Sequence, residues 1–366
     1  MNVREEKELG YGNGSALNGN GSSSIGMYGQ DGAGDAGLIG QNGSPIYESS
    51  QGKQSQQLAD RRVLFMGPPR SGKTSILSMI FEDMMAYDTL GMMPTQQQVA
   101  YQMVGGITFY DFPGIDYYSE THSTMPDTAV FEGEHTSLVF VIDSQGDLQT
   151  ALATLHGVIR TAQSVNPQIP INVFINKVDS LSEELKHDIH HDIQQNVWKT
   201  MRYDNLNSSM VQFFLTSIFE GVVNEAMSRV IQSLVPHRSS LQTILDSLCS
   251  KSGLDKVFLF DVATRVYVAV DSSPTDPQIY KFACQTLEAM DYVGELCQEY
   301  VQPNEEGMVK QKVTFDLEGG IRVFIYQVNT YLSLLCVGNT QVIRQKSLLE
   351  FNGSKVAKAI RQILPS

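Results

Sequence analysis

Long apolar runs are missing from this 366-residue chain: no stretch approaches the 18 residues a membrane-spanning helix needs. Cysteine is scarce, with Cys249, Cys284, Cys297 and Cys336 all in the last third and without C-x-x-C spacing, which excludes a disulfide scaffold or a cysteine-built zinc site and fits free thiols in a reducing compartment. Positive charge is in short supply as well. The formal net charge is −14, which argues against nucleic acid or an anionic lipid surface as a direct ligand. Between Ser71 and Ile159 there is no arginine, and Lys73 is the only lysine. The N-terminal stretch lacks an apolar period altogether. Residues 1–57 hold 13 of the 30 glycines amid Ser, Asn and Gln, and such a leader cannot bury enough surface to offset its ordering entropy, so disorder is expected there.

What is present begins at Arg62. The apolar run Val63-Leu64-Phe65-Met66 leads into Gly67-Pro68-Pro69-Arg70-Ser71-Gly72-Lys73-Thr74, followed by a helical pattern from Ser75 to Met85. A strand entering a glycine-bracketed turn that opens a helix is the setting of a P-loop: backbone N–H groups from Arg70 through Thr74 and Ser75 cradle phosphates, Lys73 reaches the outer ones, and the Thr74 hydroxyl suits Mg²⁺. The two prolines lack N–H groups but sit in the first half of the turn, outside the main cradle.

Further strands are predicted at Val99 to Val104, Ile107 to Phe112, Ser137 to Asp143, Ile171 to Ile175 and Val211 to Leu215, with helices at Gln149 to Val165, Ser182 to Met201 and Phe219 to Leu234. That alternation predicts an α/β domain with a mostly parallel sheet over residues 58–236. Pro236 to Ser240 reads as a linker. After it come a helix Leu241 to Ser250, strands Lys256 to Asp261 and Val266 to Asp271, a helix Gln278 to Tyr300, strands Gln311 to Asp316, Gly319 to Val328 and Tyr331 to Gly338, and a helix Gln341 to Ile363. Residues 237–366 are therefore expected to form an α+β association module without chemistry of its own.

Three motifs stand in order. Asp111-Phe112-Pro113-Gly114 ends a predicted strand, where the carboxylate can hold a Mg²⁺-bound water and the Gly114 N–H can meet a γ-phosphate. Thr95 is the candidate switch threonine closing on Mg²⁺, with Thr89 and Thr108 as rivals. Asn176-Lys177-Val178-Asp179 follows a buried strand, and Asp179 can accept from guanine N1 and N2, a donor pair that adenine lacks. Asn176 would tie that loop to the P-loop. The loop Thr216-Ser217-Ile218 would offer a backbone N–H to guanine O6. The ligands expected are thus GTP or GDP with Mg²⁺, the metal on Thr74 and Thr95 directly and on Asp111 through water. His187 and His191 share a helix face, but no third ligand is evident and a solvated face is favoured over zinc.

With Leu155-His156, Val165-Asn166-Pro167, Leu215-Thr216-Ser217-Ile218 and Asp271-Ser272-Ser273-Pro274 added, the sequence from Arg62 onward resembles the Rag/Gtr GTPases, most closely the Rag C/D subgroup. The resemblance implies a Ras-like G domain followed by a roadblock or longin-like domain. It also implies a heterodimer with a Rag A/B-type subunit through the second domains, recruitment by a scaffold complex to the cytoplasmic face of the lysosomal or vacuolar membrane, a GTPase-activating protein, and control of the target-of-rapamycin kinase complex in response to amino acids. Membrane residence would be borrowed from a partner, since Met1-Asn2 offers no myristoylation site and Ile363 to Ser366 no prenylation site. One departure bears on catalysis: the position after Asp111-Phe112-Pro113-Gly114, where the subgroup carries glutamine, is Ile115. No catalytic residue is assigned, slow hydrolysis is expected, and Asp116 is the nearest group that could hold water instead. A subunit that binds nucleotide but scarcely turns it over is the rival expectation.

Overall fold

The computed structural model describes residues 61–103, 105–115, 127–297, 312–316, 319–341 and 346–364; the leader expected over 1–57 lies outside them. A six-stranded sheet comes first. Its strands are β1 (Arg61–Met66), β2 (Val99–Met103), β3 (Ile107–Asp111), β4 (Thr136–Asp143), β5 (Ile171–Asn176) and β6 (Val211–Leu215), in the order β2-β3-β1-β4-β5-β6. Every neighbouring pair is parallel except β2 with β3. Strands β4 and β5 are buried along almost their whole length, as unbroken apolar runs covered on both faces should be.

The helices of this part are α1 (Lys73–Phe81), α2 (Leu148–Val165), α3 (Glu183–Tyr203) and α4 (Val222–Leu234). Asp147 caps α2 by accepting from the Gln149 and Thr150 amides, and Ser182 caps α3 at the Leu185 amide. Helix α1 stops four residues short of the predicted Met85. Glu82 closes the last turn onto Ser78 O, and Asp83 takes a left-handed φ of 52° while its carboxylate meets Arg265 at 2.7 Å. That partner lies 182 positions downstream, so the local apolar period could not reveal it.

The second sheet is antiparallel throughout, with β7 (Lys256–Asp261), β8 (Val266–Val270), β9 (Lys312–Asp316), β10 (Ile321–Gln327) and β11 (Leu332–Asn339) in the order β8-β7-β11-β10-β9. The last three predicted strands pair as two hairpins, β9 with β10 and β10 with β11. Side chains alternate across this sheet. Val257 and Leu259 join the core with α5 (Arg238–Ser252) and α7 (Lys346–Ile363), whereas Phe258 and Phe260 face Tyr280 and Leu287 of α6 (Pro277–Cys297).

The predicted linker needs correction. Only Val235, Pro236 and His237 separate α4 from α5, and Arg238, Ser239 and Ser240 already form the first turn of α5. Leu241 and Leu245 are buried in the same core as Ile231 and Leu234, and this packing, with no side-chain cap, sets the helix start. Helix α4 is in fact common to both sheets. Val223, Met227, Val230, Ile231 and Leu234 belong to one continuous apolar cluster with Phe65 and Val139 of the first sheet and Val266 and Val268 of the second. Ser228 of α4 also accepts a hydrogen bond from the Tyr267 amide at 3.1 Å. Cys249 and Cys336 are free thiols.

Candidate functional site

A cleft of about 850 Å³ opens at the C-terminal ends of the parallel strands, where an open α/β sheet binds its ligands. The loop after β1 forms its floor. Gly67 has φ 143° and a Cβ there would fall 2.3 Å from Val141 O; Gly72 has φ 99° and a Cβ there would fall 2.4 Å from Asn176 Nδ2. Both positions therefore require glycine. Arg70 adopts a left-handed φ of 61° and its side chain is exposed at the rim. The Ser71 amide leans back to Pro68 O at 3.4 Å, a long bond, while the amides of Arg70, Gly72, Lys73 and Thr74 have no acceptor among the described residues. Successive unpaired N–H groups at a helix N-terminus make an anion cradle.

Lys73 lies under this cradle, buried, with Nζ donating to Gly67 O at 3.1 Å and Pro68 O at 2.9 Å. Burial pulls its pKa down to about 8, with the carboxylate of Asp111 working against that shift. Asp111 is pushed up by burial, partly offset by the hydroxyls of Thr74 and Thr95 and by Lys73. Those hydroxyls settle which threonine meets the carboxylate. Thr95 Oγ1 stands 2.5 Å from Thr74 Oγ1, and both donate toward Asp111 Oδ2, at 2.9 Å and 2.7 Å. Thr89 instead donates to Ala86 O, and Thr108 lies within β3. The two hydroxyl oxygens stand close enough to take adjacent corners of a Mg²⁺ octahedron, with the Asp111 carboxylate beside them to hold a metal-bound water. Asp111 Oδ1, buried and without a partner, leaves a further acceptor at the same place. The donor set therefore fits the metal.

The far end of the cleft is built from the loop after β5. Asn176 Nδ2 donates to Ser71 O at 3.0 Å, and Thr216 Oγ1 donates to Asn176 Oδ1 at 3.2 Å, so three loops are tied through one amide. Lys177, at a left-handed φ of 65°, extends over the P-loop, with Nζ 2.8 Å from Arg70 O and 2.6 Å from Asp143 Oδ2. Ser217 Oγ donates to Asp179 Oδ1 at 2.7 Å, which leaves Oδ2 of that exposed carboxylate facing outward for a ligand. Ser75 and Ile218 both border the cleft. The Thr216 amide is spent on Ile175 O at 2.8 Å, so among the amides expected to meet guanine O6 those of Ser217 and Ile218 remain, with no acceptor among the described residues.

Sequence reasoning missed Asp143 and Gln145. Asp143 pairs in register with Asn176 across β4 and β5, which puts its carboxylate beside Lys177. Gln145 Nε2 bonds Lys177 O and Ser180 Oγ. A polar residue at the C-terminal end of a buried strand was the available signal. Tyr87 and Phe219, edge to face at 5.2 Å, bring the segment before Thr95 to the loop after β6.

Gly114 packs on the P-loop, where an added Cβ would meet Pro69 Cα at 2.6 Å. The next residue turns away. The Ile115 amide donates to Gly67 O at 3.0 Å and its side chain is 3% exposed, in the core with Leu64, Met66 and Phe131. Asp116 lies outside the described residues.

The family region described as Gtr1/RagA G protein conserved region matches residues 62–287. The chain belongs to the Gtr1/RagA family of G proteins. GTP-binding protein gtr2 of Schizosaccharomyces pombe is 34% identical over 313 residues, 83% of this chain and 98% of that protein. Ras-related GTP-binding protein D of Mus musculus is 33% identical over 82% of this chain and 68% of its own length. GTP-binding protein gtr1 of S. pombe reaches only 21% over 81% of this chain and 94% of its own. This Gtr/Rag chain is accordingly of the Rag C/D type, and its family implies a guanine nucleotide as ligand. Among solved structures, an MglB with tetrameric arrangement aligns at 13% identity over 35% of this chain and 89% of its own, with a TM-score of 0.30, too low to bear on fold or function.

Proposed function

We propose that the chain is the guanine-nucleotide switch subunit of a Rag/Gtr-type heterodimer, binding GTP or GDP with Mg²⁺ and hydrolysing GTP slowly. The observation that carries this reading is the convergence on one cleft of unpaired loop amides, the oxygens of Thr74, Thr95 and Asp111, and the Asp179 carboxylate held by Ser217. In it, residues 58–236 act as the G domain and 237–366 as the module that pairs with a Rag A/B-type subunit. A bound Mg²⁺ would offset charge on the phosphates. The chain's own residues would orient the nucleotide: Asn176 fixes the base loop against the phosphate loop, Asp179 selects guanine, and Thr95 reports the outer phosphate. Relay of amino-acid sufficiency to the target-of-rapamycin kinase complex, from a scaffold on the lysosomal or vacuolar surface, completes the proposal. It accords with the absence, among the described residues, of any helix long and apolar enough to cross a membrane.

A second reading is supported by Ile115. A side chain buried in the core can neither donate to nor accept from water beside a γ-phosphate, and the switch region supplies no arginine. On that reading the nucleotide serves binding alone and the chain acts as a scaffold subunit. Single-turnover GTP hydrolysis by the co-expressed heterodimer, with and without an activating extract, separates the two. Slow turnover that the extract accelerates supports the switch, and no turnover under either condition supports the scaffold. Failure to retain any guanine nucleotide overturns both.

A further inference from the structure

Away from the nucleotide cleft, a second cavity of about 270 Å³ lies where α4, α5, β8 and the loop from Ser272 to Thr275 meet. Its lining is polar, with Arg229 and Gln232 from α4, Arg238 and Gln242 from α5, and Asp271 and Thr275 opposite. We propose that this cavity is a binding site for a phosphate-class anion, either inorganic phosphate or a small phosphomonoester.

Two guanidinium groups border one small cavity in a chain of net charge −14. Arg238 has no ion-pair partner among the described residues, and Arg229 has only Glu225, four positions back at 3.6 Å, well beyond the 2.7–2.9 Å of a charge-assisted hydrogen bond. The acids nearby are already engaged. Asp271 accepts from the Val257 amide at 2.8 Å and the Ser273 amide at 2.9 Å and faces the buried Lys256 ammonium at 3.3 Å, while Asp246 accepts from the Ser272 amide at 2.6 Å. Their charge is largely answered from within the fold, whereas that of the arginines is not.

A further observation points the same way. Helix α5 starts at Arg238 with no side-chain cap and no acidic residue in its first turn. The positive end of its dipole is left uncompensated beside the same arginine, an arrangement that favours an anion. The volume falls below the roughly 300 Å³ at which drug-sized pockets begin, so phosphate with a few further atoms is the size that fits. An occupant would touch α4, α5 and the β8–α6 loop together, at the junction of the two sheets.

The test uses the full chain, co-expressed with its Gtr1/RagA-type subunit and saturated with GDP and Mg²⁺ so that the P-loop is filled. Isothermal titration with inorganic phosphate, and separately with O-phosphoserine, is run at constant ionic strength on wild type, Arg229→Gln, Arg238→Gln and, as a control on the far turn of α5, Lys251→Gln. Saturable binding in wild type and Lys251→Gln, weakened about tenfold or more in either arginine variant, is expected. Tighter binding of O-phosphoserine would assign the site to phosphomonoesters, and equal or weaker binding to free phosphate. Retained GDP shows that each variant is folded. Absence of saturable binding in wild type, or equal affinity in all four proteins, overturns the proposal.

Discussion

Gly72 and Asn176 approach so closely that a single methyl group on the glycine would sit 2.4 Å from the amide nitrogen that binds Ser71 O. The phosphate loop and the base loop thus share one contact. Gly72→Ala, at φ 99°, should break it and weaken fluorescent GDP binding by at least about tenfold. Gly221→Ala is the comparison, because φ there is 73° but the surrounding space is open, so it should cost about 1 kcal/mol of stability and leave GDP affinity unchanged. Equal loss of affinity in both variants would refute the contact argument.

Asp179→Asn removes the charge that Ser217 orients. GDP affinity should fall by about 10- to 100-fold, the worth of a charge-assisted hydrogen bond, while xanthine nucleotides gain, since the new amide can donate to their C2 oxygen. Competition of GDP and XDP for a fluorescent nucleotide checks the direction, and unchanged preference for guanine would exclude Asp179 as the reader of the base.

Ile115→Gln should not create a fast GTPase. Its side chain points into the core beside Leu64 and Met66, so a glutamine amide placed there loses its hydrogen bonds at about 1–3 kcal/mol. Chemical denaturation should record the destabilisation and single-turnover assays no acceleration. Brisk hydrolysis would mean that residue 115 can swing out to the nucleotide.

Much of the first sheet was legible because each strand is a continuous apolar run ending in a chemically distinctive turn, and β6 matches its predicted bounds. The junctions were not legible. The early stop of α1 depends on Arg265, the start of α5 depends on packing against α4, and the burial of Ile115 depends on a core assembled from distant strands. The pair of Lys256, 1% exposed, with Asp271 was equally hidden, because neither residue carries a local sign that the other is near. Within the site, motif spacing identified Thr74, Asp111, Asn176 and Asp179, whereas the Asp143 contact to Lys177 arises only from strand register.

Asp261 provides a pH test. It is buried at the end of β7, accepts from the Thr264 amide and hydroxyl, and burial raises its pKa above the usual carboxylate value despite those bonds. A carboxyl whose pKa is higher folded than unfolded holds more protons in the folded chain, so its contribution is complete below about pH 4 and is lost as pH rises through the folded value. Asp261→Asn removes this loss. Relative to wild type, the variant should gain stability between about pH 4 and pH 7 in denaturant titrations, and a difference independent of pH would contradict the assignment.

A fragment of residues 237–366 should fold poorly by itself. Without α4, the apolar face formed by Val266 and Val268 loses Val223, Met227, Val230, Ile231 and Leu234, whose burial at about 1.5–3 kcal/mol each amounts to something on the order of 10 kcal/mol. Light scattering and near-ultraviolet circular dichroism should show association and weak tertiary packing, and extension of the fragment back to Gly221 should improve both. A monomeric, well-packed short fragment would contradict this.

The helix shared by the two sheets also bears on ancestry. The front half of such a molecule cannot be traded between relatives at the Val235 to His237 joint without also trading the surface against which α4 rests. Chimeras cut there inherit a mismatched seam, while those that carry α4 and β8 from one parent keep it whole. Natural recombination faces the same constraint, so a crossover that separates α4 from β8 sacrifices the seam, and one that leaves them together does not.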